Sequence, residues 1–247
     1  MLVRPIKTRV FLPPKDNLFS LIKESLFDLK EKSIIVFTSK IVSIWQGRCL
    51  KMDLIKNKDD LIKKEAELYL EKEKKDFPML TVKNNTLIPM AGIDESNGRG
   101  YYILWPKNPF SAAKKIYQFI KKNYHLKKFA IIISDSHTIP MRRGTVGISI
   151  AYWGFEPLKD YRRKKDIFGR ELKITQLNIA DSLAAIASLV MGEGKEQTPI
   201  AIIENLDFVK FKKPSTKFSE RLNPLKMNLK EDIYEPLISA IKWKSGF

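Results

Sequence analysis

The sequence predicts an α+β fold of mixed sheets with packed helices, on three observations. Short apolar runs of strand length are interspersed with amphipathic stretches of helical spacing. They lack the regular strand–helix–strand rhythm of a parallel α/β fold. The apolar share, 44% of 247 residues, is that of a chain that buries a core rather than staying disordered. This length suits one large domain or two modest ones.

Taken in order, residues 3–12 read as a strand leading into a Pro13-Pro14 turn. Asp16 or Asn17 can cap a following helix in which Leu18, Leu21, Ile22, Leu26 and Leu29 share one face. Residues 33–37 are a β-branched run, expected as a buried strand ending in Thr38-Ser39-Lys40. Hydroxyls and a lysine just past a strand end suit a phosphate. Residues 59–75 are expected as a charged helix with Ile62, Ala66, Tyr69 and Leu70 on its apolar side. Residues 77–89 carry short β pieces around an Asn84-Asn85 turn, and residues 92–98 form a polar, glycine-flanked loop. Ser111 is the expected cap of a helix reaching residue 123, with Ala112, Ile116, Phe119 and Ile120 inward.

The central stretch begins with the apolar run at 129–133, which ends in Ser134-Asp135-Ser136-His137-Thr138. This reads as a buried strand delivering a carboxylate and two hydroxyls to a sheet edge. Pro140-Met-Arg142-Arg143-Gly144 and an alternating strand at 145–153 follow. Hard oxygen ligands beside guanidinium groups are what a phosphate-handling site needs. Further on, Ile179, Leu183, Ile186, Ala187 and Val190 mark a helix that stops at Gly192. A polar loop at 193–198 and a strand at 199–204 come next. The chain is expected to divide into a main region, 1–206, in one or two intertwined subdomains, and a basic tail, 207–247. That tail closes with a helix through Ile233, Leu237, Ile238 and Ile241.

The formal charge of +17 attracts polyanions, although the lysines are scattered and often alternate with glutamate, as on ordinary solvated helix faces. Cys49 is the only cysteine, which excludes an internal disulfide and a cysteine metal cluster and fits a reducing compartment. No run approaches the ~20 apolar residues of a spanning helix, and the N-terminus has no apolar signal core. The expectation is a cytoplasmic protein without a membrane partner. Walker A and GxGxxG motifs are absent, and the two histidines cannot build a His-rich zinc site.

Several motifs now occur in one order: Thr38-Ser39-Lys40-Ile-Val-Ser43, Gly92-Ile-Asp94-Glu-Ser-Asn97, Ser134-Asp135-Ser136, Asp160 with Asp166, Gly169-Arg170-Glu-Leu172, Ala180-Asp181-Ser-Leu-Ala-Ala185 and Val190-Met-Gly192. Together they resemble the gamma-glutamyl ligase family that adds glutamate to the deazaflavin coenzyme F-420, over roughly residues 8–205. The resemblance implies that family's α+β fold and an intertwined homodimer. It implies GTP (or ATP), two divalent ions (Mg or Mn) and L-glutamate. The acceptor carboxylate would be activated as an acyl phosphate, which the glutamate amine displaces.

Carried over by position, the resemblance implies Asp94 and Asp135 as metal ligands, Ser136 on the second ion and Glu193 as a further ligand. It implies nucleotide contacts at Ser39, Lys40 and Asn97, at the Leu12-Pro13 turn, and in the loop holding Gly192, Gly194 and Lys195. Lys40, Arg142 and Arg143 could add fixed positive charge where negative charge builds up. His137 could contact the acceptor or assist proton removal from the amine, or simply close the turn before Pro140.

The chain departs from the family pattern at residues 137–142, at Ile44, where a lysine is expected, and at Arg163, where a glycine is expected. Its Ser136-His137-Thr138 run resembles a bacterial branch thought to glutamylate folates, which favours a folate acceptor over the deazaflavin. The competing class is a non-catalytic basic protein binding nucleotide or nucleic acid on the same scaffold. It has no nucleic-acid motif behind it, so nucleic acid is not the expected partner.

Overall fold

The computed structural model describes residues 1–74, 76–212 and 223–246. Strand β1 (Leu2–Ile6) leads through an extended segment to helix α1 (Leu18–Ser25). Asn17 caps α1, its side-chain oxygen accepting from the Phe19 and Ser20 amides. β2 (Ile34–Thr38) runs directly into α2 (Ser39–Trp45), and β3 (Cys49–Lys51), α3 (Lys58–Glu65) and β4 (Leu68–Tyr69) follow. Then come β5 (Leu80–Lys83), β6 (Thr86–Pro89), β7 (Tyr101–Ile103) and α4 (Pro109–Tyr124). β8 (Ala130–Thr138), β9 (Thr145–Trp153), β10 (Leu158–Asp160) and β11 (Gln176–Asn178) lead to α5 (Ile179–Met191) and β12 (Ile200–Glu204). α6 (Glu235–Ala240) and β13 (Lys244–Ser245) end the chain.

The main sheet has the order β1-β12-β2-β8-β9, with β2 and β8 parallel and the other neighbours antiparallel. Its inner strands read as unbroken apolar runs because they are covered on both faces: Ile34, Ile35, Val36, Phe37, Ile131, Ile132 and Ile203 are fully buried. α5 packs against β9, β8, β1 and β12, while α4 packs on β8 and β9 and α2 on β2 and β8. A second, smaller core gathers Leu61, Ile62, Met79, Ile93 and Leu104 beside the sheet β13-β4-β5-β6. Among the described residues no helix is long and apolar enough to cross a membrane.

The mixed α+β class is as expected, and the hairpin turn at Asn84-Asn85 is present with both residues at positive φ (49° and 59°). Several expectations change. The first strand, expected to reach residue 12, ends at Ile6, and the first helix ends at Ser25, with Leu26 extended and Leu29 beyond it. The charged helix stops at Glu65, because Ala66 turns extended and Leu68 and Tyr69 pair with Val82 and Thr81 of β5. Lys75, its expected end, lies outside the described residues. The helix expected from Ser111 begins at Pro109, after Asn108. Proline fits the first turn of a helix, where its missing N–H leaves no intrahelical bond unmade. The closing helix is shorter than its apolar spacing suggested, and Ile233 and Leu237 are exposed. The tail then returns to the fold as β13, paired with β4. Residues 213–222 of the expected loose tail lie outside the described residues.

Candidate functional site

The site follows from unequal strand lengths. β2 pairs with β8 only as far as Thr38 and Ser134. Beyond that point β8 pairs with β9 alone, through Asp135–Ile148, Ser136–Gly147, His137–Val146 and Thr138–Thr145. A register shift at Ile133/Ser134 marks the change. The free edge of β8 therefore borders a cleft of about 880 Å³. Its other walls are the start of α2, residues 89–99, the end of β7 through Trp105, residues 192–199, and residues 8–11.

Two carboxylates from distant parts of the chain meet here. Asp94 accepts from the Ser96 amide (2.8 Å), and its Oδ2 lies 2.7 Å from the Lys40 ammonium. Burial pushes the Asp94 carboxyl up, but the charge and hydrogen bond of Lys40 outweigh it, and the net shift is downward. Asp135 differs. Burial raises it to about 6, and the charge of Asp94 adds to the rise. Three donors oppose that rise: the Trp105 indole N–H on Oδ2, the Ser136 amide on Oδ1 (3.0 Å) and the Ser39 hydroxyl.

The loop after α5 closes over this pair. Ser136 Oγ donates to Glu193 Oε1 at 2.5 Å, and Asn97 Nδ2 donates to the Gly194 carbonyl at 2.9 Å. Gly192 ends α5 at φ +75°, a conformation suited to glycine. His137 sits half-buried on the cleft wall, and burial holds its imidazole below the usual range while Asp181 pulls the other way.

Of the residues singled out in the sequence, Ser39, Lys40, Asn97, Gly192, Gly194 and Lys195 line the cleft with Asp94, Asp135, Ser136, His137 and Glu193. Ser39 is buried and turned to Asp135, and Lys40 is engaged with Asp94 and with Ser96, whose carbonyl and hydroxyl it meets at 2.9 and 3.0 Å. Arg142 and Arg143 are not part of the lining. They sit in the exposed turn between β8 and β9, carried away because both strands extend past Asp135. Leu12 and Pro13 also lie outside it. The Leu12 amide is instead held by Asp16 Oδ2 at 3.0 Å. The sequence reading missed Trp105 and Arg9, both in the lining. A tryptophan in an apolar run before a proline carries no sign of contact with a carboxylate thirty positions on.

Among the described residues no group of three or more His, Cys, Asp or Glu could enclose an ion by itself. The donors present still fit Mg or Mn. Two carboxylates with a serine hydroxyl are hard oxygen ligands, and Mg typically takes one or two carboxylates and completes its shell from phosphates and water.

The fold and the cleft define an α+β protein with a carboxylate-lined cleft at the free end of its central sheet. The family described as "F420-0:Gamma-glutamyl ligase" matches residues 6–205, and this chain belongs to that family. Among relatives, it is 45% identical over 130 residues to a coenzyme F420:L-glutamate ligase of Methanocaldococcus jannaschii, covering 52% of this chain and 51% of that protein. It is 34% identical over 170 residues to one of Methanosarcina mazei (68% and 65%) and 35% identical over 186 residues to one of Methanococcus maripaludis strain C6 (69% and 75%). The chain thus spans about half the length of the first of these relatives.

Proposed function

We propose that this protein is a nucleotide-dependent gamma-glutamyl ligase, joining the amine of L-glutamate to an acceptor carboxylate. The observation that carries this reading is the meeting of Asp94, Asp135, Ser136, Glu193 and Lys40 in one cleft of a chain in this family. Phosphate transfer from GTP or ATP would make the acceptor carboxylate an acyl phosphate. The glutamate amine would then displace phosphate and form the amide. Asp94, Asp135, Ser136 and Glu193 would hold two divalent ions, which supply positive charge to the phosphates when bound. The chain's own part is to bind and orient. Lys40 and Arg9 place cations at the cleft wall, and the 192–198 loop covers the nucleotide. The volume, about 880 Å³, is within the usual range for small-molecule pockets.

The names of the relatives favour an F-420-type acceptor. A folate is the second reading, favoured by His137, which lines the cleft where the chain departs from the family pattern. Mass spectrometry of protein incubated with glutamate, Mg or Mn, nucleotide and each acceptor decides between them. Glutamyl addition to one acceptor names the substrate. Full activity in Asp94→Asn and Asp135→Asn would sink the metal-assisted ligase.

A homodimer belongs to the same proposal. Met141, Ile167, Phe168 and Ile174 are almost wholly exposed on two projecting loops, apolar surface that a monomer would leave in water. Sedimentation should give twice the 28.6 kDa chain mass, and Phe168→Glu should shift the protein toward monomer.

A further inference from the structure

Asp135 is the more deeply held of the two cleft carboxylates, and what holds it is not a cation. Its Oδ2 accepts the indole N–H of Trp105. That tryptophan is only 1% exposed and is fixed at both ends. Its backbone carbonyl accepts from Arg48 Nε at 3.2 Å, and Arg48 is itself anchored 2.6 Å from Glu65. Its ring lies against Gly92. A Cβ at Gly92 would stand 2.2 Å from Trp105 Nε1 and 2.5 Å from Cδ1, and Gly92 has φ +70°. Only glycine lets the 89–99 loop, which carries Asp94, come this close to the indole. One tryptophan therefore touches both segments that supply the carboxylates.

We propose that Trp105 is a positioning residue: its indole N–H, seated by Gly92, fixes the orientation of the Asp135 carboxylate beside Asp94 and so sets the affinity of this wall for a divalent cation. The inference rests on the ligase reading above only for the cation. Hydrogen bonds to a ligating carboxylate orient it, and their removal typically weakens metal binding by about 10–100-fold. The Ser136 amide does not replace the indole, because it binds the other oxygen, Oδ1. A tryptophan that merely filled the core would act on stability and leave cation affinity alone.

The test is calorimetric titration of Mn²⁺ and Mg²⁺ into the full-length protein and Trp105→Phe, with the thermal midpoint measured alongside. Phenylalanine keeps an aromatic ring and loses only the N–H and part of the bulk. The expected result is about 10-fold weaker Mn²⁺ binding. Equal affinity in the two proteins overturns the role of Trp105 and leaves the ligase reading standing. No cation binding by the unaltered protein overturns both. Should Trp105→Phe fail to fold, indole ¹⁵N–¹H spectra of the unaltered protein serve instead. It has four tryptophans, and Trp105 can be assigned by substituting Trp45, Trp153 and Trp243 in turn. Mg²⁺ should move the Trp105 signal most, and a Trp105 signal unmoved at saturation overturns the proposal.

Discussion

The Lys40 ammonium lies 2.7 Å from Asp94 Oδ2, so one of the two cleft carboxylates carries its own counter-ion. The other, Asp135, is raised by burial to about 6. Two similar side chains on one cleft are thereby set apart by their surroundings, the Asp94 carboxyl lowered by Lys40 and the Asp135 carboxyl raised by burial. A divalent ion bound at this wall, as proposed above, would compete with Lys40 for Asp94.

Removing Lys40 should therefore strengthen cation binding while weakening the enzyme. Two unit charges 4 Å apart interact by about 4 kcal/mol at an effective dielectric of 20, and solvent at the cleft mouth reduces this. Lys40→Met is expected to tighten Mg²⁺ binding by roughly 10-fold, about 1.4 kcal/mol, and to lower nucleotide-dependent turnover. Titration calorimetry checks the first and product formation the second. Weaker Mg²⁺ binding would mean that Lys40 chiefly holds Asp94 in place.

α5 comes close to β9 at Gly147, which pairs with Ser136. A Cβ there would stand 2.2 Å from Ser188 Oγ and 2.6 Å from the Ala184 carbonyl. The serine can rotate, but the carbonyl belongs to the helix backbone. Gly147→Ala should cost about 2 kcal/mol by overpacking, a fall in the thermal midpoint of roughly 4–8 °C for a chain this long. The double variant with Ser188→Gly should recover only part of the loss. Complete recovery would place the whole clash on the hydroxyl.

Why some of this was legible in the sequence and some was not follows from what each signal measures. β9 and the end of α5 at Gly192 came out as expected, because strand alternation and a glycine stop are local properties of buried, regular segments. Residues 66–70 have helical spacing too, yet β5 claims Leu68 and Tyr69 for a sheet, and tertiary pairing outweighs the local preference. Asp94, Asp135 and Lys40 were found through motif order, and the fold brings them together. Arg142 and Arg143 were chosen for nearness in sequence to Asp135, but a strand rises about 3.3 Å per residue and carried them out of reach. Trp105 gave no signal, since its partner is chosen by the meeting of two sheets.

Asn97 ties the 89–99 loop to the loop after α5 by donating to the Gly194 carbonyl at 2.9 Å. It also adopts φ +54°, where asparagine is tolerated better than alanine. Asn97→Ala removes the tie without touching a carboxylate. The nucleotide KM should rise about 10-fold while kcat changes little, since uniform binding rather than the chemical step is weakened. Hydrogen exchange at residues 192–198 should quicken in the same protein. A drop in kcat at unchanged KM would show that Asn97 acts on the reacting groups.

Arg9 reaches the cleft from the β1 side, and Asp16 keeps it there. The guanidinium meets both Asp16 oxygens, at 2.6 and 2.9 Å. The same carboxylate accepts from the Leu12 and Asn17 amides. The Arg9 hydrogen bond is the largest reason the Asp16 carboxyl falls to about 2. Its folded value lies below the ordinary value of about 3.9. The contribution to stability is therefore present above pH ~4 and lost as the pH falls toward 2. Arg9 is 37% exposed, so water screens the pair and the expected worth is about 1 kcal/mol. Urea unfolding should show Asp16→Asn less stable than the unaltered protein by that amount at pH 7, with the gap closing between pH 4 and pH 2. A gap that persists undiminished at pH 2 would assign the loss to the Leu12 and Asn17 amides rather than to the ion pair, because an asparagine oxygen would then be replacing the carboxylate poorly at every pH.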